Sequence, residues 1–251
     1  MGVLTPKNRQ YPVNKSNGEQ AEDDSRPARM NRQVKQMRVR KVVTRSGKRF
    51  RGKFPSLKLN RMVHWESMLE RDAILHFEYH PLVLSYQEQP SIEIYYDKHG
   101  EQRRYFPDFR LTFRDGEDLY VEVKPSRVLA TKVVRDKLQA VAKRFEEQGR
   151  RFRVMTEDDI RRQPLLTNLQ RLHVSSKRAA QKMSCAELAK TLSGGPLWKL
   201  ANLAAQLLGV QHVLRLVQSS HLQIDLEKPL SNDSDVWSTR AHGGPHGSFR
   251  I

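Results

Sequence analysis

The chain of 251 residues has a single cysteine, Cys185. One thiol cannot build an internal disulfide framework or a cysteine-based zinc site, and its scarcity suits a reducing compartment. No long apolar run is present, so a membrane span is not expected and no membrane partner follows. The opening MGVLTPKNRQYPVNKSNG lacks the apolar segment of a secretory leader, and a cytoplasmic protein is expected. No GxxxxGK[ST] phosphate loop occurs, since the nearest string, SGKRF, is not one. Acidic side chains are also short, 28 against 45 Lys and Arg, for a net charge of +17. A surplus that large bears on partners rather than fold and points to polyanions. Nucleic acid is favoured over a lipid surface, because no Leu/Phe-rich amphipathic stripe accompanies the charge. The surplus is concentrated in residues 1–60, which hold 16 basic and 4 acidic side chains.

Four segments differ in character. Residues 1–45 form a basic arm, polar and almost free of aromatics through residue 35, and should be largely disordered when unbound. VRKVVTRSGKRFRGKFPS reads as short basic strands or an extended arm lying on phosphates, with Gly47 and Gly52 as turn points. VHWESMLERDAILHFEYHP has helical spacing at Trp65, Leu69, Ala73 or Ile74 and Phe77, and Pro81 follows its end. LVLSYQEQP, SIEIYYD, QRRYFPDFRLTF and DLYVEVKP then read as a run of antiparallel hairpins, with turns at residues 97–100 and 114–117. LATKVVRDKLQAVAKRFEEQG returns to helical period through Val133, Leu138, Val141, Ala142 and Phe145, with Gly149 as a helix stop. RRFRVMTEDDIR reads as a strand and a capped helical turn starting at Thr156 or Glu157. This order gives an α/β or α+β domain around one mixed sheet over residues 46–163. Residues 164–240 read as short helices followed by a small hairpin, a winged-helix-like module or a plain helical cluster. Residues 241–251 are a Gly- and His-containing tail expected to be flexible.

The chemistry concentrates in LYVEVKPS. Residues two apart in a strand share a face. Glu122 and Lys124 therefore point one way while Val121 and Val123 point inward. Asp108, in YFPDF, lies on the preceding strand. Hydrolysis of a phosphodiester with a divalent ion needs hard oxygen ligands and a cation beside the strained phosphate. Asp108 and Glu122 supply the oxygens, Lys124 the cation, and Glu70 can lean from the helix as a further ligand or base. A strict two-residue turn at Asp115-Gly116 would set Asp108 opposite Val123, on the wrong face. An odd-length loop, a bulge, or an Asp108 just outside regular pairing is therefore predicted. Alone, an Asp…Glu-x-Lys pattern is weak, since surface strands carry Glu–Lys pairs routinely.

ESMLERDAILHFEYHPLVLSYQEQP, YFPDFRLTF and YVEVKPS together resemble the N-terminal domain of the TnsA family. These are endonuclease subunits of heteromeric transposases with the PD-(D/E)xK fold, a restriction-endonuclease-like mixed sheet with flanking helices. The resemblance covers residues 45–163. It implies that Glu70, Asp108, Glu122 and Lys124 are the catalytic set, with Asp108, Glu122 and Glu70 binding Mg²⁺, for which Mn²⁺ can substitute. It further implies double-stranded DNA at transposon ends as substrate, cut at the 5′ ends. A DDE transposase partner, TnsB, would cut and join the 3′ ends, and an AAA+ regulator, TnsC, would supply any ATP dependence. Similarity of residues 164–240 to the family's winged-helix portion rests on element order and HLQIDL.

Other residues admit plainer readings. Glu66 suits a structural or surface role. Gln89 either holds site backbone or ends a strand. His76 and His80 have helix spacing but no room for a metal pair before Pro81, and His242 and His246 fall in the tail. Tyr95, Tyr96, Tyr105 and Phe106 read as sheet packing, and Trp198 and Trp237 as core of the smaller module. Lys132, Arg135 and Lys137 either track phosphates or form a solvated helix face. Two other functions stay open: a stand-alone restriction or repair nuclease of this fold, and a DNA- and partner-binding scaffold without catalysis.

Overall fold

A computed structural model describes residues 50–178, 193, 195, 197–239 and 251. The basic arm, residues 184–192 and the His242/His246 tail lie outside the described residues, and with them Gly47 and Cys185. Strand β1 (Gly52–Ser56) pairs antiparallel with β2 (Arg61–Trp65), burying Phe54 and Val63. Gly52 is therefore a strand residue and not a turn point. A Cβ there would come within 2.3 Å of the Trp65 ring, so the missing side chain lets the indole lie on the backbone.

Helix α1 (Met68–Tyr79) starts later than its apolar spacing suggests. Val63, His64 and Trp65 belong to β2, because the alternating RMVHW strand is paired before the helix begins. Ser67 is the N-cap, and its hydroxyl accepts from the Glu70 amide at 3.1 Å. The helix buries Leu69, Ala73, Ile74, Leu75 and Phe77, and also Asp72, His76 and Glu78. Each buried polar group is engaged. Arg71 and Arg161 clamp Asp72, and Glu78 accepts from Ser56, Tyr86 and the amides of Leu57 and Lys58. His76 Nε2 meets the Ile160 carbonyl oxygen at 2.7 Å, and Leu82 N donates to His80 Nδ1, so both histidines are structural. Lys58 closes the far end of the helix, donating to the carbonyls of Phe77, His80 and Val83.

The main sheet has the order β3-β6-β7-β8, from β3 (Val83–Glu88), β6 (Phe109–Phe113), β7 (Asp118–Val123) and β8 (Arg151–Met155). The β7–β8 pair is parallel and the others antiparallel, which makes the sheet mixed as predicted. The hairpin run is not one meander. β4 (Glu93–Tyr96) and β5 (Gln102–Tyr105) form a separate two-stranded ribbon, and β3 skips them to pair with β6.

After β7 come a helical turn, α2 (Ser126–Leu129), and the longer α3 (Lys132–Glu147). Helix α3 buries Leu138, Val141 and Phe145, while Val133, expected on that stripe, is 76% exposed in its first turn. The stop is as read: Gly149 N bonds to Glu146 O and Arg150 N to Phe145 O, closing the helix in a Schellman arrangement. Beyond β8, Thr156 and Asp159 form a capping box on α4 (Glu157–Ile160).

The strand β7 is covered on both faces. Leu119, Val121 and Val123 join the cluster containing α1, whereas Tyr120 joins one with Phe145, Val141 and Tyr105. The C-terminal segment contributes α5 (Leu165–Arg178), β9 (Leu197–Lys199), α6 (Leu200–Gln206), α7 (Val210–Gln218), β10 (Leu222–Ile224) and β11 (Asp235–Ser238). The three strands pair in the order β10-β11-β9, all antiparallel. Residues 197–199 fall in the stretch read as short helices; instead Leu197, Trp198 and Lys199 alternate out, in and out along β9. Trp198 is buried as predicted, whereas on β11 Val236 points inward and Trp237 is only half-buried. Leu169 and Leu172 of α5 share one apolar cluster with Ile74 of α1 and with Val213 and Val236, so the core runs without a break into these helices. No single described helix is long and apolar enough to cross a membrane.

Candidate active site

The hairpin loop sets the site's register. Phe113 N donates to Glu117 O, leaving three loop residues, Arg114, Asp115 and Gly116. Gly116 has φ +90°, which glycine adopts without steric cost. Pairing Thr112 with Asp118 and Phe109 with Val121 then places Asp108 across from Glu122, on its face. The predicted odd-length loop is present, and Asp108 lies one residue outside β6.

Asp108 is held from both neighbouring strands. Its carbonyl oxygen accepts from Gln89 N at 2.8 Å, and its Oδ2 accepts from Val123 N at 2.8 Å. Gln89 thus holds site backbone, with φ +44°, and its side-chain amide also donates to Glu66. Lys124 N donates to Met155 O, so the strand β8 fixes the lysine backbone in turn. Lys124 Nζ lies 2.6 Å from Glu122 Oε1 and 3.8 Å from Asp108 Oδ2. The opposite Glu122 oxygen, Oε2, accepts from the Tyr105 hydroxyl at 2.5 Å. Glu70 approaches from the N-terminus of α1, where its oxygens accept from Glu66 N at 2.7 Å and the Ser67 hydroxyl at 3.1 Å.

All four sequence-predicted residues line one open cleft of about 590 Å³. Its walls add Tyr105, Arg104, Arg127 and Lys137. Burial, then the neighbouring Glu122 charge, push the Asp108 carboxyl well above the usual carboxylate range, with Lys124 opposing. Glu70 is raised as well, chiefly by burial, against its bonds to Glu66 N and Ser67. Lys124 is raised because the attraction of Asp108 and Glu122 outweighs its desolvation. Negative charge is thus crowded here beyond what one ammonium neutralises.

Residues 80–157 match a protein-family model described as TnsA-like endonuclease N terminal. Over these residues the chain is similar to the N-terminal domain of TnsA-like endonucleases. No curated protein matches the chain. The TnsA-like match contains Asp108, Glu122 and Lys124, and Glu70 lies upstream of it. The mixed sheet and flanking helices of this TnsA-like domain fit a restriction-endonuclease-like fold.

The donors suit a hard divalent ion in kind: carboxylate oxygens, crowded enough to raise Asp108 and Glu70. As they stand, the Lys124 ammonium bridges Asp108 and Glu122, and among the described residues no three His, Cys, Asp or Glu side chains converge as a ligand set. Sequence reasoning missed Tyr105 as a site residue, since its buried ring reads as packing and nothing in the pattern shows where its hydroxyl points. Arg104 and Arg127 also escaped it. Each sits within a few residues of a site position, a proximity in sequence that was available.

Proposed function

We propose that this chain is the metal-dependent DNA endonuclease subunit of a heteromeric transposase, cleaving the 5′ ends of a transposon. A DDE transposase of the TnsB type cuts and joins the 3′ ends in this reading, and a TnsC-type AAA+ regulator governs the assembly. The observation that carries it is the gathering of Asp108, Glu122, Lys124 and Glu70 in one open cleft, three of them inside the TnsA-like match. Asp108, Glu122 and Glu70 would hold Mg²⁺ or Mn²⁺, which when bound polarises the phosphate and lowers the pKa of water. Tyr105 fixes one Glu122 oxygen and leaves the other toward Lys124. The Lys124 ammonium faces the charge that develops on the phosphate oxygens. Where Glu70 does not bind the ion, its carboxylate at the cleft wall is placed to take a proton from the attacking water instead.

The C-terminal segment reads as a winged-helix-like module. The order β9, α6, α7, β10, β11 and the 102° turn between the two helices support this. A stand-alone nuclease is the second reading, favoured by one fact: all four side chains come from one chain.

Cleavage of a plasmid bearing transposon ends, with Mg²⁺ and with or without the partner transposase, tests the proposal. Partner-dependent 5′ cuts are expected. Asp108→Ala and Lys124→Ala should lose at least about 100-fold in cleavage while retaining DNA and partner binding. Robust cutting without the partner would move the protein to the stand-alone class. A folded wild-type chain that makes no 5′ cut with its partners present would overturn the reading.

A further inference from the structure

We infer that Arg104, Arg127 and Lys137 form a phosphate track along the cleft wall, gripping the DNA backbone on either side of the phosphate to be cut. The inference rests on the nuclease reading of the same cleft. Several cations on the neighbouring elements are committed to carboxylates. Arg103 pairs with Asp97 and Glu101, Lys132 with Asp136, Arg144 with Glu147 and Arg150 with Glu93. Arg104 and Arg127 are exposed, and among the described residues no carboxylate is paired with either. Lys137 places its Nζ 5.2 Å from the centre of the Tyr105 ring, with the same absence of an acidic partner among the described residues.

Their placement ties them to the site. Arg104 precedes Tyr105 on β5, Arg127 follows Lys124 by three residues on α2, and Lys137 lies over the ring whose hydroxyl holds Glu122. All three line the cleft together with Asp108, Glu122 and Lys124. A cleft whose floor is acidic repels a polyanion. Guanidinium and ammonium groups on three separate elements offset that repulsion where successive phosphates pass. Leaving them without carboxylate partners keeps their charge available for DNA, and each phosphate they neutralise releases counterions from the duplex.

The test is fluorescence anisotropy on a 30-bp duplex, with the full chain carrying Asp108→Ala, in Ca²⁺, over a series of salt concentrations. Each contact adds about 0.9 to the slope of log K against log salt. The added triple variant Arg104→Ala/Arg127→Ala/Lys137→Ala should therefore flatten the slope by about 2–3. Equivalently, the intact track loses about 40-fold more affinity between 50 and 200 mM salt than the triple variant does. Lys143→Ala, on the exposed part of α3 away from the cleft, should leave the slope unchanged. Lys137→Arg should keep it. If the triple variant melts early, Arg104→Ala and Arg127→Ala singly should each lower the slope by about 0.9, both being exposed. An unchanged slope in folded variants overturns the track, as does an equal change with Lys143→Ala. The two readings fail separately: wild-type cleavage with an unchanged slope sinks the track, whereas a flattened slope in a chain whose wild type never cuts sinks the nuclease.

Discussion

Asp108 carries a charge that the fold tolerates rather than exploits. Its folded-state pKa lies above the unfolded value of about 3.9. The folded state therefore binds the proton more tightly, and ionising Asp108 costs stability. That cost is fully present above the folded pKa and is shed as pH falls through it. Asn at this position keeps an oxygen for the Val123 amide and removes the charge beside Glu122. Asp108→Asn should consequently melt higher than wild type at pH 8, by about 2–4 °C for each kcal/mol relieved. The difference should narrow on acidification, and also when Mg²⁺ is added to the wild type. Thermal melts at pH 8 and pH 5.5 check this, and a variant that melts lower at both would show that Asp108 stabilises the fold. Tyr105 belongs at the same scale. Its ring packs against Phe152 and Tyr95, yet its hydroxyl makes one of the shortest bonds in the site.

At the scale of elements, the loop joining β6 to β7 decides which face Asp108 presents. Three residues put it across from Glu122; two would put it across from Val123. Deleting Thr112 within β6 should abolish cleavage even where the sheet re-forms, because with Phe113 still opposite Glu117 it slides Asp108 across from Val121, on the inward face. Gly116→Val is a milder probe. Nothing lies within 4 Å of a Cβ there, so its effect is the backbone strain of φ +90° alone, about 1–2 kcal/mol. Urea unfolding should show that loss with cleavage per folded molecule unchanged; a loss of cleavage equal to that of the deletion would mean the loop does more than set register. This register was legible in advance, because a period of two leaves no freedom once Glu122, Lys124 and Asp108 must share a face. The helix α3, its glycine stop and the capped turn at Thr156 were legible for the same reason, that local pattern and final structure agree. The start of α1 was not, because Trp65 fits a helical stripe and a paired strand equally well. The β4–β5 ribbon was not either. Turn residues report that two strands are joined, and nothing local reports that β3 passes them to pair with β6.

For the molecule as a whole, the junction between the nuclease sheet and the C-terminal helices is built as core rather than as a linker. Tyr79 hydrogen-bonds His173, and Phe54 stacks on the same imidazole at 4.5 Å. Asn168, buried, donates to the carbonyls of Leu226 and Lys228. Beneath these contacts Leu169 is fully enclosed in the apolar cluster that reaches from Val63 to Val236. A core that continuous predicts cooperative unfolding of both parts. The tryptophans allow a test, since Trp65 reports on β2 while Trp198 and Trp237 report on the C-terminal sheet. With Trp65→Phe in one chain and Trp198→Phe/Trp237→Phe in another, the two fluorescence transitions in urea should coincide. Leu169→Ala, which opens a cavity where α5 meets the rest, should then lower both midpoints together, with a loss of about 2–5 kcal/mol in unfolding free energy. Two separated transitions, with only the C-terminal one moved by Leu169→Ala, would mean that the shared cluster does not couple them. Coincident movement would mean that whatever grips the C-terminal helices also acts on α1, and through Ser67 and Glu70 on the edge of the cleft.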